Sequence, residues 1–370
     1  MSGSEFVAQR MASIGSSGIR RIFDLAAAMK DPIDFSMGQP DFDVPEPVKT
    51  AAISAIREGR NKYTVTHGIV PLRERIGQAM REEFGWDPAV LITCGVSGGL
   101  TLALMACVNP GDEVLVADPC FVSYRTLVRL AGGVPVSVDT YDDLSLHPER
   151  FVAAVTPRTR ALIVNSPGNP TGIVYSEQEI RSLCELARRH NLLILSDEIY
   201  AGLCYDGPAA SPVTFAPERT LLLRGFGKDY GMTGWRMGYA AGPAAIIQEM
   251  AKLQQFTFVC APQPAQWACL TALETDVSAQ VTAYRAKRDL VVNALRERFE
   301  FVRPTGGFYV FPRVPQRFPN ATAFVEAAIE KNVLVIPGCA FGGRDTHFRI
   351  SYAVSDDRLA AGCEVLCSLA

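Results

Sequence analysis

The chain has no run of eighteen consecutive apolar residues, which excludes a membrane-spanning helix of ordinary length. It has no excess of positive charge. Its 36 Lys and Arg against 39 Asp and Glu leave a net charge of −3, the wrong sign for a partner that presents a phosphate backbone. Nucleic acid is therefore not an expected partner. The G-x-G-x-x-G fingerprint of dinucleotide-binding folds is missing, which argues against a nicotinamide dehydrogenase. Histidine is scarce: His67, His147, His190 and His347 stand far apart. The ten cysteines are scattered, and the closest pair, Cys363 and Cys367, has no second pair nearby. Buried free thiols are the expectation, and no metal site. The stretch MSGSEFVAQRMASIG lacks the basic segment and apolar block of a secretory signal, so a cytoplasmic protein is expected.

What is present is ordinary globular composition, 48% apolar and 20% charged, over 370 residues. That length favours two domains. From about residue 46 to 275, short apolar runs (AVLITC, DEVLVAD, GVPVSVD, RALIVN, LLILSD, TLLLRG, MGYAAG) alternate with helical patterns such as RSLCELARRH and AAIIQEMAKLQQ. Near-continuous apolar strands separated by helices predict an α/β domain, with a mainly parallel sheet of seven-stranded type sandwiched by helices. A charged helical segment at 286–299 follows, then GGFYVF, ATAFVEAAIEKN, VLVIPG, HFRISYAV and a final helix from Asp356. These predict a smaller α+β domain made of residues 276–370 and the N-terminal stretch 1–45.

Ligands of open α/β sheets gather beyond the carboxyl ends of strands. ALIV ends in Asn165-Ser-Pro-Gly-Asn169-Pro-Thr-Gly, LLIL runs into Ser196-Asp197-Glu-Ile-Tyr200, and TLLLRG runs into Phe226-Gly227-Lys228. An amide, a carboxylate and an amine at one sheet edge suggest one site. A lone lysine in a loop is usually solvated. Lys228, however, sits in a glycine-rich loop eight residues before Arg236, which could bind a phosphate and also help pull an amine's pKa toward neutrality. Asp197 after four apolar residues reads either as a helix cap or as an acid that stays ionised beside a pyridinium nitrogen. Gly95, Val96 and Ser97 lead from a strand into a helix, whose N–H groups suit an anion. Arg349 lies amid apolar strand residues, which is costly unless it meets a carboxylate. Tyr63 by itself reads as a surface aromatic.

NSPGNPTG, SDEIY, GKDYGMTGWRMGY and FRISYA, in this order and spacing, resemble the class I aminotransferases of the fold-type-I pyridoxal-phosphate family, of the aspartate and aromatic type. GQPDFDVPEPV and PGCAFG extend the resemblance over nearly the whole chain. It implies pyridoxal 5'-phosphate as cofactor. It further implies that Lys228 bonds the cofactor aldehyde and later carries the proton between substrate Cα and cofactor C4′, and that Asp197 pairs with the ring nitrogen. Asn169 and Tyr200 would bond the ring oxygen, Phe121 would stack on the ring, and Gly95, Val96, Ser97 and Arg236 would hold the phosphate. Arg349 would take the substrate carboxylate with Gly38 closing over it. Tyr63 would reach the phosphate of a second subunit, implying a homodimer with shared sites.

The implied reaction moves an amino group from an L-amino acid, aspartate-type preferred and aromatic possible, to a 2-oxo acid such as 2-oxoglutarate, in ping-pong fashion. A β-eliminating C–S lyase would begin with the same Cα proton removal, and a non-catalytic sensor would keep the cofactor site. Two features depart from the family pattern: Gly225 and Gly227 stand where serines are common, and Gly98 and Gly99 are smaller than usual. The expected consequence is weaker cofactor retention, relieved by Gly225→Ser.

Overall fold

The computed structural model describes residues 6–15 and 29–370. After a short strand β1 (Ile33–Asp34), the seven apolar runs all become strands of one sheet: β2 (Ala89–Cys94), β3 (Glu113–Asp118), β4 (Val134–Asp139), β5 (Thr159–Asn165), β6 (Leu193–Asp197), β7 (Thr220–Gly225) and β8 (Met237–Gly242). Their order is β2-β8-β7-β6-β5-β3-β4. Only β8 runs antiparallel to its neighbours, and the other pairs are parallel.

The runs are continuous because both faces of the sheet are covered. Leu221 and Leu223 enter one hydrophobic cluster while Leu222 enters another on the opposite face. Helices α1 (Glu46–Arg57), α2 (Val70–Phe84), α3 (Gly95–Cys107), α4 (Ser123–Leu130), α5 (Pro148–Ala154), α6 (Glu177–Arg189), α7 (Pro212–Phe215), α8 (Ala244–Thr257) and α9 (Gln263–Ala272) form the covering layers. The start of α6 is fixed by a capping box: Ser176 Oγ accepts from Glu179 N, and Glu179 Oε2 accepts from Ser176 N at 2.7 Å.

The C-terminal part contains α10 (Ser278–Leu295), β9 (Tyr309–Val310), α11 (Ala321–Glu330), β10 (Val333–Leu334), β11 (Ile336–Pro337), β12 (Phe348–Ser351) and α12 (Asp356–Ser368). The charged segment read at 286–299 is the second half of α10, which ends at Leu295. Strands β11, β12 and β9 make an antiparallel sheet, and β1 pairs in parallel with β10. The N-terminal stretch thus joins the C-terminal part at Ile33–Asp34. Within the expected N-terminal contribution, residues 1–5 and 16–28 lie outside the described residues. One hydrophobic cluster runs without a break from Leu162 and Val164 in β5 to Phe308, Phe324 and Ile350. It fixes the C-terminal elements against the sheet edge where the strands β5, β6 and β7 end.

All ten cysteines are free. Cys120, Cys184, Cys269 and Cys363 are buried as the sequence predicts; Cys94, Cys107, Cys204, Cys260 and Cys367 are only partly buried, and Cys339 is exposed because it lies in a short surface turn, 338–340. Among the described residues, no group of three or more His, Cys, Asp or Glu is placed to hold a metal ion, and no helix is long and apolar enough to cross a membrane.

Candidate active site

Parallel pairing sets Asn165 opposite Asp197 at the ends of β5 and β6, and the loop after β7 carries Lys228 to the same edge. There a cavity of about 490 Å³ opens. Its lining includes Ser36, Gly38, Gly95, Val96, Ser97, Phe121, Asn169, Asp197, Tyr200, Lys228, Arg236 and Arg349, so residues up to 313 positions apart in the chain meet at one place. Tyr63 does not line it. Its side chain is 81% exposed on the outer surface.

Asp197 is 3% exposed. Burial pushes its carboxyl up to about 6, against a hydrogen bond from Tyr124 and another from the backbone N–H of Ile199. Tyr124 Oη donates to Oδ2 at 2.7 Å, and Ile199 N donates to Oδ1 at 3.2 Å. Asn165 Nδ2 holds the Asp197 carbonyl at 2.9 Å, and Asn165 Oδ1 accepts from Asn169 N at 2.9 Å. One amide therefore ties the carboxylate strand to the NSPGNPTG loop. A helix cap, the alternative use of Asp197, is not what forms: a turn follows β6, with Ala201 N bonded to Glu198 O and Leu203 N to Tyr200 O. That turn brings Tyr200 back over the cavity.

The Lys228 ammonium is depressed to about 8, first by burial and then by Arg349 and Arg236. This is the direction a nucleophilic amine needs. Nζ donates to the carbonyl of Gly38, on the segment that crosses the cavity from the N-terminal side.

At the other end the first turn of α3 presents Gly95, Val96 and Ser97 to the cavity. Gly95 has φ +71°, and a Cβ there would come within 2.7 Å of Arg236 Nη2. Glycine is needed both for the left-handed backbone and for the approach of the guanidinium. Arg236 itself adopts φ 56° and donates from Nη1 to Thr233 O at 3.1 Å. Helix N–H groups and a cation converge here, the arrangement that binds a phosphate.

Arg349 is 2% exposed. Nη1 donates to Asn169 Oδ1 at 3.0 Å and Nη2 to Ser36 O at 2.6 Å, while the buried Nε has no hydrogen-bond partner. Its guanidinium lies over the rings of Tyr309 (4.6 Å) and Phe341 (4.8 Å). A fixed guanidinium with donors to spare, facing a cavity, suits a carboxylate.

Two residues of the site went unread in the sequence. Tyr124 lies one helical turn beyond Phe121, a spacing that places both on one face, and that was the available signal. Tyr309 sits inside GGFYVF, where its hydroxyl is hidden in an apolar run. The glycine departures also change meaning. Gly98 and Gly99 do not line the cavity: a Cβ on Gly99 would meet Leu223 at 2.9 Å, so this glycine allows α3 to lie against the sheet. A Cβ on Gly225 would meet Ile199 at 3.0 Å, Met237 O at 3.1 Å and Val96 at 3.2 Å, so the expected benefit of a serine there is opposed by crowding. At Gly227 the nearest atom is 3.5 Å away.

The donor set fits a flat phosphorylated heteroaromatic aldehyde. It offers a partly deprotonated amine, a held carboxylate, an anion cradle and an aromatic side at Phe121. Comparison with known proteins agrees in kind. The family model described as aminotransferase class I and II matches residues 30–366. The aspartate/prephenate aminotransferase of Thermus thermophilus is 40% identical over 346 residues, 90% of each chain. Aromatic-amino-acid aminotransferase 2 of Thermococcus litoralis is 36% identical over 95% of each. The structure of the Thermus thermophilus aspartate aminotransferase with maleate superposes with a TM-score of 0.95, at 38% identity, covering 98% of this chain and 99% of that one.

Proposed function

The chain belongs to the class I and II aminotransferase family, and from that premise we propose how its residues divide the work of a pyridoxal 5'-phosphate-dependent transamination. The observation that carries the reading is the meeting of Lys228 and Asp197 in one cavity, with Arg236 and Arg349 also in its lining. When bound, the cofactor supplies an aldehyde for the lysine and the substrate amine in turn, and a cationic ring that disperses negative charge from the substrate Cα.

Lys228 is the amine that would bond the aldehyde, and its Nζ would move the proton between the substrate Cα and cofactor C4′. Its pKa of about 8 leaves a useful fraction unprotonated near neutrality. Asp197 would pair with the ring nitrogen and keep it protonated, and a cation so close would lower the carboxyl's pKa from about 6. Asn169 and Tyr200 would bond the ring oxygen, and Phe121 would cover one face. The N–H groups of Gly95, Val96 and Ser97 with Arg236 would hold the phosphate. Arg349 holds the substrate carboxylate, and Gly38 closes over it, excluding water.

We place L-aspartate-type and aromatic amino acids as donors and 2-oxoglutarate as acceptor, the two donor classes being those named for the relatives. The test is a panel of amino acids mixed with the cofactor-loaded protein in the absence of oxo acid, followed by its visible absorbance. Stoichiometric loss of the visible band with release of one oxo acid, reversed by 2-oxoglutarate, is the expected result. Continuous production of oxo acid and ammonia without any acceptor contradicts it.

The shared-site homodimer rests on an exposed apolar patch. Tyr63 is 81% exposed, and Val65 and Phe256 are also exposed. Their segments are pinned together: Gln254 Nε2 donates to Thr66 O at 2.7 Å, Gln266 Nε2 to Thr64 Oγ1 at 3.2 Å, and Lys62 N to Gln263 Oε1 at 3.0 Å. A rigidly presented apolar surface marks an interaction site. Tyr63 then reaches the phosphate of the second subunit. Sedimentation of a monomer with full cofactor affinity would exclude it.

The division into residues 46–275 and a smaller unit of 1–45 and 276–370 is part of the same proposal. The short-strand sheets of the C-terminal part and the β1–β10 pair support it.

A further inference from the structure

Tyr309 has no part in the roles assigned above, yet it touches both ends of the substrate side of the cavity. It is fully buried, on β9. Its hydroxyl lies 3.0 Å from that of Tyr200, and the two rings meet edge to face with centroids 5.7 Å apart. Its ring face lies under the Arg349 guanidinium at 4.6 Å. A Cβ on Gly38 would fall 2.9 Å from the Tyr309 hydroxyl oxygen, so this hydroxyl also limits where the crossing segment can settle.

Hydrogen-bond direction follows from the proposed role of Tyr200, on which this inference rests. A Tyr200 hydroxyl that gives its proton to the cofactor ring oxygen can only accept from Tyr309. Tyr309 then donates, and each bond in such a chain polarises the next. The ring acts separately. Among the described residues, the Arg349 guanidinium is hydrogen-bonded at Nη1 and Nη2 alone, so its tilt is set by the aromatic faces of Tyr309 and Phe341.

We infer that Tyr309 is a positioning residue with two separable parts: a hydroxyl that strengthens the Tyr200 bond to the cofactor ring oxygen, and a ring face that aims Arg349 at the substrate carboxylate.

The experiment uses the full chain loaded with pyridoxal phosphate, as Tyr309→Phe, Tyr309→Leu and Tyr200→Phe. Losing a donor makes the ring oxygen more basic, so the pH midpoint of the visible band moves up. Tyr200→Phe shows the full upward shift. Tyr309→Phe shows a smaller one in the same direction, about 0.3 pH unit, with the KM for 2-oxoglutarate nearly unchanged because the ring remains. Tyr309→Leu shows the same midpoint and in addition a KM raised roughly 5- to 30-fold.

A Tyr309→Phe midpoint equal to the parent's while Tyr200→Phe shifts overturns the hydroxyl part. An unchanged KM in Tyr309→Leu overturns the ring part. A structural filler would lower thermal stability without moving the midpoint. A parent that develops no visible band, or a Tyr200→Phe form without a shift, overturns the site assignment itself and is distinguishable from both.

Discussion

The hydroxyl of Tyr124 donates to Asp197 Oδ2 over 2.7 Å while the other carboxylate oxygen is held by the backbone N–H of Ile199. Both side chains are buried, so a lost donor leaves the carboxylate oxygen without that protein partner. Tyr124 also meets Phe121 edge to face at 5.6 Å, bracing the ring proposed to cover the cofactor. This tyrosine steadies two sides of the site at once.

Tyr124→Phe removes a hydrogen bond that lowers the Asp197 pKa, and is therefore predicted to raise that pKa and to move the acid limb of the activity profile to higher pH. Loss of a hydrogen bond to a charged group costs about 1.5–3 kcal/mol, so cofactor retention should fall roughly tenfold or more. Equilibrium dialysis and a pH–rate profile check both parts.

Lys228 gives a stability prediction for the cofactor-free protein. Its folded pKa of about 8 lies below the ordinary 10.5, so between those values the unfolded chain binds more protons than the folded one. Stability then rises with pH through that window, and the cost is fully present below about pH 8. Lys228→Met should remove the cost, raising the cofactor-free protein's stability at pH 7 by on the order of 1 kcal/mol, with the gain vanishing above pH 10.5. Thermal melts of both forms at pH 7 and pH 10.5 measure it. The same variant should show no turnover.

Arg349→Lys keeps the charge but loses the flat fork that reaches Asn169 Oδ1 and Ser36 O together. A fall in kcat/KM of about 10²–10³-fold is expected for every amino acid donor, since the α-carboxylate is common to all. Initial-rate kinetics with two unlike donors test this, and a loss confined to one donor would contradict it.

The two glycines of the lysine loop should behave oppositely. Gly225→Ser pushes on Val96 and Ile199, both of which line the cavity, and should cost about 1–3 kcal/mol of stability and speed cofactor loss. Gly227→Ser has space, with Thr233 Cα nearest at 3.5 Å, and should fold as the parent while gaining a hydroxyl at the cavity wall. Melting temperature and cofactor off-rate separate the two.

The central sheet was legible because a strand covered on both faces must be apolar at every position, and all seven such runs became strands. The direction of β8 was not, since MGYAAG reads the same forwards or backwards along the sheet. Asp197 ends an apolar strand, and Asn169 and Lys228 follow within four residues of one, so the sequence could bring amine, carboxylate and amide to one edge, where a charged group needs a reason. Tyr124 and Tyr309 could not be weighed by that rule. An aromatic ring belongs in a core, and only the hydroxyl's partner, distant in sequence, reveals a second use. Gly225 needed the structure for a related reason: the sequence shows the missing hydroxyl but not the side chains of Val96 and Ile199 that a Cβ there would crowd.

The most direct measurement of the central claim is chemical capture. The purified chain, freed of cofactor and then mixed with pyridoxal phosphate, is reduced with borohydride, digested and mapped by mass spectrometry. The account predicts one covalent pyridoxyl group, on the peptide bearing Lys228, and none on the Lys228→Met form. A label spread over surface lysines, or equally present when Lys228 is replaced, would contradict it.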